Sequence, residues 1–73
     1  MIKVEFKMRT PVIDLLQLLK ATGYAATGGE GKMLVDDGMI SVNGTEEFRR
    51  RRKLYPGDSV VIDEQVTILV QSA

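Results

Sequence analysis

The chain has no cysteine and no histidine. The first absence excludes disulfides, thiolate metal sites and cysteine nucleophiles. The second removes the commonest general base and metal ligand. Tryptophan is also missing, and two tyrosines and two phenylalanines are all the aromatics there are. That is too few for the stacked aromatic platforms on which single-stranded nucleic acids are usually held. No apolar run approaches the length of about 18 residues that a membrane span requires. The N-terminal stretch alternates charged and apolar residues and lacks the apolar middle of a signal peptide, so a cytoplasmic protein is expected. Nothing in the composition asks for a cofactor or a metal, and none is expected.

What remains is 73 residues of net charge zero. A chain of this length forms one domain, expected over residues 1–73, and buries roughly 60% of its unfolded surface. Leu15, Leu16, Leu18, Leu19, Met33, Leu34, Ile40, Val42, Val60, Ile62, Ile68 and Val70 are the candidate core.

The zero net charge hides a strong polarisation. Arg49, Arg50, Arg51, Arg52 and Lys53 are consecutive and make up half of the ten basic residues. Glu30 to Glu47 carries Lys32 against five acids, and Asp58 to Glu64 adds three more acids. An unbroken arginine run can be a solvated edge that discourages strand pairing. Arginine in preference to lysine, and the abrupt change of sign after Glu46 and Glu47, favour phosphate recognition instead.

Hydrophobic periodicity orders the rest. Ile2, Val4 and Phe6 alternate with charges and predict a half-buried strand. Thr10 followed by Pro11 predicts a helix start, with Val12, Leu15, Leu16 and Leu19 at helical spacing and Gly23 as the stop. Thr27 with Glu30 three residues on has the spacing of a capping box, which opens a second helix ending near Asp37 before Gly38. Met39 to Val42 and Thr45 to Phe48 predict two strands joined at Asn43-Gly44, the dipeptide that best accepts a tight hairpin turn. Ser59 to Ile62 and Val66 to Val70 predict two more, after a Pro56-Gly57 turn. The order β-α-α-β-β-β-β predicts an α+β fold, two helices on a small, mostly antiparallel sheet.

Gly28, Gly29 and Gly31 crowd the first turn of the second helix, each costing roughly 1 kcal/mol of helix propensity relative to alanine. Gly29-Glu30-Gly31-Lys32 is not a nucleotide-binding loop, because Ala26 stands where a glycine is needed and Met33 where a hydroxyl is needed. A bare helix N-terminus suits a single phosphate; glycines also allow two helices to approach closely. Both readings stay open from the sequence. The adjacent acids Asp36-Asp37, Glu46-Glu47 and Asp63-Glu64 diverge on any regular backbone and are expected to be solvated surface charge.

The order and spacing of these pieces resemble the small RNA-binding domain named after ribosomal small-subunit protein four, also called the alpha-L motif. Asp14-Leu15 matches its first helix, and Thr27, Lys32, Leu34 and Val35 match its second. Gly38, Ile40, Val42, Asn43 and Gly44 match its hairpin, and Pro56, Gly57, Asp58 and Val60 its later turn and strand. The Gly-Gly-then-Lys helix start and the arginine run look like the free-standing short bacterial branch. Many members carry arginines where this chain has Gly28 and Gly29, and near the start of the first helix where it has Val12 and Ile13. That departure shifts the expected contacts towards the arginine run. The resemblance implies two antiparallel helices packed on the sheet and a structured RNA along the second helix and the hairpin. The expected RNA-binding residues are Thr27, Gly28, Gly29, Lys32, Asn43, Arg49, Arg50, Arg51, Arg52 and Lys53, in a non-catalytic monomer. The expected partner is a structured RNA, ribosomal or transfer RNA; an adaptor using the same basic patch on an acidic protein is the alternative.

Overall fold

The computed structural model describes Met1–Ala73 throughout. Nine elements follow one another: β1 (Ile2–Met8), β2 (Ile13–Asp14), α1 (Leu15–Ala21), α2 (Gly28–Asp36), β3 (Ile40–Val42), β4 (Thr45–Glu46), β5 (Lys53–Leu54), β6 (Ser59–Ile62) and β7 (Val66–Ser72). Five strands form one sheet in the order β1-β7-β6-β3-β4, and β2 with β5 forms a second, two-stranded one. The main sheet is antiparallel except for β1 and β7, which run parallel from Ile2 beside Val66 to Met8 beside Ser72.

Period-two alternation sets which side of the sheet is dry. Ile40, Val42, Val60, Ile62, Val66, Ile68 and Val70 point to one face, where they join Leu15, Leu18, Leu19 and Val35 of the helices in a single core. Five of the expected core positions on α1 and β3, Leu15, Leu18, Leu19, Ile40 and Val42, are almost wholly excluded from water. Met33 is a correction, since it is exposed while its neighbours Leu34 and Val35 pack inward. A helix of nine residues has one inward stripe, and Gly31 and Val35 occupy it. Val35, Leu54, Met8, Ala25 and Val66 complete the core and lie outside the expected positions.

The two turns with the strongest local chemistry take the expected form. Asn43 and Gly44 both have positive φ, 51° and 85°, as a primed two-residue hairpin turn demands. Gly38 closes α2 at φ 75°, the left-handed conformation that glycine adopts without cost. The start of the first helix is different from the expectation. Thr10 and Pro11 do not open it; Thr10 instead donates from Oγ1 to the Val12 carbonyl at 2.8 Å. Asp14 is the N-cap, accepting from the Gln17 amide at 2.8 Å while the Gln17 side chain accepts from the Asp14 amide at 3.2 Å. The cause is tertiary. Ile13 and Asp14 are held extended against Leu54 and Lys53, so the helix cannot begin before them. The returning hairpin strand is also shorter than expected, Thr45–Glu46 rather than Thr45 to Phe48.

Candidate nucleic-acid interface

Of the five cations only Lys53 lies in a strand, at the start of β5. Residues 49–52 turn back on themselves, with the Arg52 amide donating to the Arg49 carbonyl at 3.2 Å. The Arg52 carbonyl then accepts from the Leu15 amide at 2.9 Å, which ties the loop to the start of α1. Arg49, Arg51, Arg52 and Lys53 line a groove of about 560 Å³ with no apolar residue in its wall.

Acids outside the run, one near it in the sequence and two distant, hold this loop. Glu47 is 6% exposed and is the one buried polar or charged residue in the protein. It accepts from the Arg49 amide at 3.0 Å, from Arg49 Nε at 3.0 Å and Nη2 at 3.1 Å, and from Arg52 Nη1 at 2.7 Å. The Arg49 guanidinium beside it is the main reason its carboxyl falls to about 2, against the partial loss of water that opposes ionisation. Asp36, in the last turn of α2, takes both Arg50 Nε at 3.1 Å and Nη2 at 2.6 Å. An acid there opposes the helix dipole, and the Arg50 guanidinium lowers its pKa. Arg51 approaches Asp14 at a longer 3.6 Å. The run is therefore unbroken by acids in sequence but not in space. Glu47 is buried, a correction to its reading as solvated surface charge; Asp36 stays exposed, as expected, while paired with Arg50.

The polarity of the returning strand explains Glu47. The Asn43-Gly44 turn sets Val42 opposite Thr45 and Ser41 opposite Glu46, and the Glu47 amide donates to the Ile40 carbonyl at 3.0 Å. Glu47 thus shares the side of buried Ile40 and Val42, whereas Phe48 faces out and lies over Gly38. Sequence reasoning passed over Glu47, although the hairpin register that the turn imposes already carried the signal.

At the start of α2, Thr27 is the N-cap and accepts from the Glu30 amide at 3.2 Å. Glu30 reaches one residue beyond the expected capping box, accepting from the Ala26 amide at 2.6 Å. The amides of Gly28 and Gly29 donate to no acceptor in the protein. The three glycines are not alike. A side chain on Gly31 would begin 3.0 Å from Leu16 Cδ2, so this glycine permits the contact between the helices. Gly28 has nothing within 4 Å, and Gly29 meets only Thr27 Oγ1, at 3.7 Å.

Gly28, Lys32 and Asp36 recur every four residues and so share one stripe of α2. Lys32 is exposed on that stripe, and Arg50 continues it beyond Asp36. The bare amides and the arginine loop lie at opposite ends of α2, roughly 13 Å apart along a nine-residue helix. Asn43 is placed differently from the other expected site residues. Its Nδ2 donates to Asp58 at 3.1 Å and its Oδ1 accepts from the Ser59 amide at 2.9 Å, so its amide fastens the hairpin to β6.

No helix is long and apolar enough to cross a membrane, and no group of three or more acidic side chains is arranged to hold a metal ion.

The chain is similar to known proteins over most of its length. A family model described as "S4 domain" matches residues 6–71. A protein of Escherichia coli (strain K12) named "Putative RNA-binding protein YbcJ" is 34% identical over 50 residues, 68% of this chain and 71% of its own length. A protein of Bacillus subtilis (strain 168) named "Probable ribosome maturation protein RlbA" is 39% identical over 54 residues, 74% of this chain and 76% of its own length. With its two helices against a five-stranded sheet and this match across all but the ends, the chain belongs to the S4 domain family.

Proposed function

We propose that this protein is a non-catalytic module that binds structured RNA, with ribosomal or transfer RNA as the class of target. One observation carries the reading: four cations, Arg49, Arg51, Arg52 and Lys53, converge on a single open groove whose wall contains nothing else. Clustered guanidinium groups match phosphate oxygens in pairs, and phosphate neutralisation supplies most of the affinity of such modules. The names of the E. coli and B. subtilis relatives, one RNA-binding and one concerned with ribosome maturation, point the same way.

The proposed surface runs from the groove along the outer stripe of α2. Arg51 and Lys53 are the freest cations of the run, since Lys53 has no ion pair and Arg51 only the longer 3.6 Å approach to Asp14. Lys32 and the unpartnered amides of Gly28 and Gly29, capped by Thr27, take a further phosphate at the far end. Arg49 and Arg52 present those donors that Glu47 leaves open, Arg50 gives up part of its charge to Asp36, and Asn43 supports the hairpin from behind. Structured RNA is favoured over extended single strands because aromatics are few, and of the four Phe6 and Tyr24 are packed against the core.

The test is fluorescence anisotropy with a structured ribosomal or transfer RNA, titrated at several salt concentrations. The parent chain is expected to bind at about 50 mM salt, and R51Q and K53Q each to lower the slope of log affinity against log salt by roughly 0.7–0.9. K32Q gives a smaller loss of the same kind. No binding by the parent chain, or an unchanged slope in the R51Q/K53Q double variant, overturns the reading and favours an acidic protein as the partner.

A further inference from the structure

Resting on the RNA reading above, we infer that Glu47 is a positioning residue of the interface: it shapes the arginine loop for phosphate binding, although its own charge opposes the ligand. Four donors converge on its carboxylate, two of them from Arg49's guanidinium, one from Arg49's backbone and one from Arg52. Its backbone is fixed in turn by the bond to Ile40. The Arg52 side chain is held down to 28% exposure, whereas that of Arg49 remains 73% exposed while bonded. Glu47 thus grips one edge of the Arg49 guanidinium and a single nitrogen of Arg52, and leaves Arg49's outer edge to solvent.

Five adjacent cations repel one another, and long side chains resist being ordered. Holding each one costs about 0.5–1.5 kcal/mol when it happens at the moment of binding. A buried carboxylate that orders two of them beforehand removes that cost from the binding step. It also opposes the repulsion that would otherwise spread the loop. Asp36 is different in kind. Both members of its pair with Arg50 are about half exposed, it orders nothing beyond that one side chain, and it only offsets charge.

The two carboxylates therefore respond to neutralisation in opposite directions. Counting charge alone, E47Q and D36N each add one positive unit to the surface, and both should bind RNA more tightly. Positioning by Glu47 instead predicts that E47Q binds about tenfold more weakly, with a salt slope no steeper than the parent's. D36N binds at least as tightly as the parent. The comparison uses the full chain, the same structured ribosomal or transfer RNA at about 50 mM salt, and circular dichroism to establish that each variant is folded. E47Q that binds as tightly as the parent or more tightly, while R51Q still weakens binding, overturns the inference and leaves the RNA reading intact. A parent chain that binds no RNA removes both.

Should E47Q fail to fold, the unaltered protein gives the answer. The Glu47 carboxyl carbon, followed by carbon-13 NMR, is expected to keep its chemical shift when RNA is added, because the contacts with Arg49 and Arg52 persist in the complex. A move towards the shift of a free carboxylate on RNA binding shows that phosphate displaces Glu47, which makes the carboxylate a competitor and overturns its positioning role.

Discussion

The two ends of α2 offer an anion opposite kinds of welcome. At one end stand the amides of Gly28 and Gly29, with no full charge, no side chain and no internal partner. At the other stand five cations, of which Arg49, Arg50 and Arg52 are already bonded to carboxylates and Arg51 leans towards one. By charge alone the second end is far stronger. Much of that charge is committed to keeping the loop in shape, however, while the first end commits nothing. The lesson is that a basic run should be read for the donors it has left after folding, not for its total.

Removing the structural cations gives the largest expected effect. R49Q/R52Q leaves Glu47 a buried carboxylate with no cation and only the backbone amide of residue 49, which costs about 3 kcal/mol and threatens a domain this small. Urea denaturation measures it; a loss near zero shows that the loop does not depend on these pairs. Acid tests the same group. Glu47 ionises in the folded protein at about 2 against an ordinary value of 4.5, so the stability it contributes is fully present above about pH 4.5. That stability is lost as the pH falls through 2, and in E47Q this part of the acid dependence should disappear.

The glycine end is probed by contrast within itself. Gly31→Leu drives a side chain into Leu16 and should cost about 1–3 kcal/mol. Gly28→Ala meets nothing and should leave stability equal or better, by up to about 1 kcal/mol, yet weaken RNA binding if the bare backbone is what meets the phosphate. Equal RNA affinity in Gly28→Ala would restrict the interface to the arginine end. The smallest effect belongs to the exposed pair. R50Q should change stability by about 0–1 kcal/mol, because Arg50 and Asp36 both remain in water.

Where local chemistry decides, the fold was legible. Asn43-Gly44 fixed the hairpin, Gly38 stopped α2, and Ser59–Ile62 is the strand its β-branched residues predict. Where distant residues decide, it was not. The first helix begins at Leu15 because Leu54 and Lys53 hold Ile13 and Asp14 extended, a contact that no window around Thr10 contains. The arginine run was visible, but Asp14 and Asp36 lie far from it along the chain, and only the closed fold brings them together. Glu47 falls between these cases. It stands two residues from Arg49, and the register of the hairpin points it inward; the eye passes over it because an acid beside an acid looks like surface.

The parallel pairing of β1 with β7 has a consequence for how the protein is made. β1 lies at the edge of the sheet and has no strand beside it other than β7, and Ile2 finds its partner only at Val66. On a growing chain the helices, the hairpin and the arginine loop can meet as soon as they are synthesised, while the first strand waits for β7. Closing so long a loop is entropically costly, and pairings of large sequence separation slow folding. The N-terminal segment should therefore stay sensitive to protease on a nascent chain stalled short of residue 66, and become resistant only when β7 has cleared the exit of the ribosome.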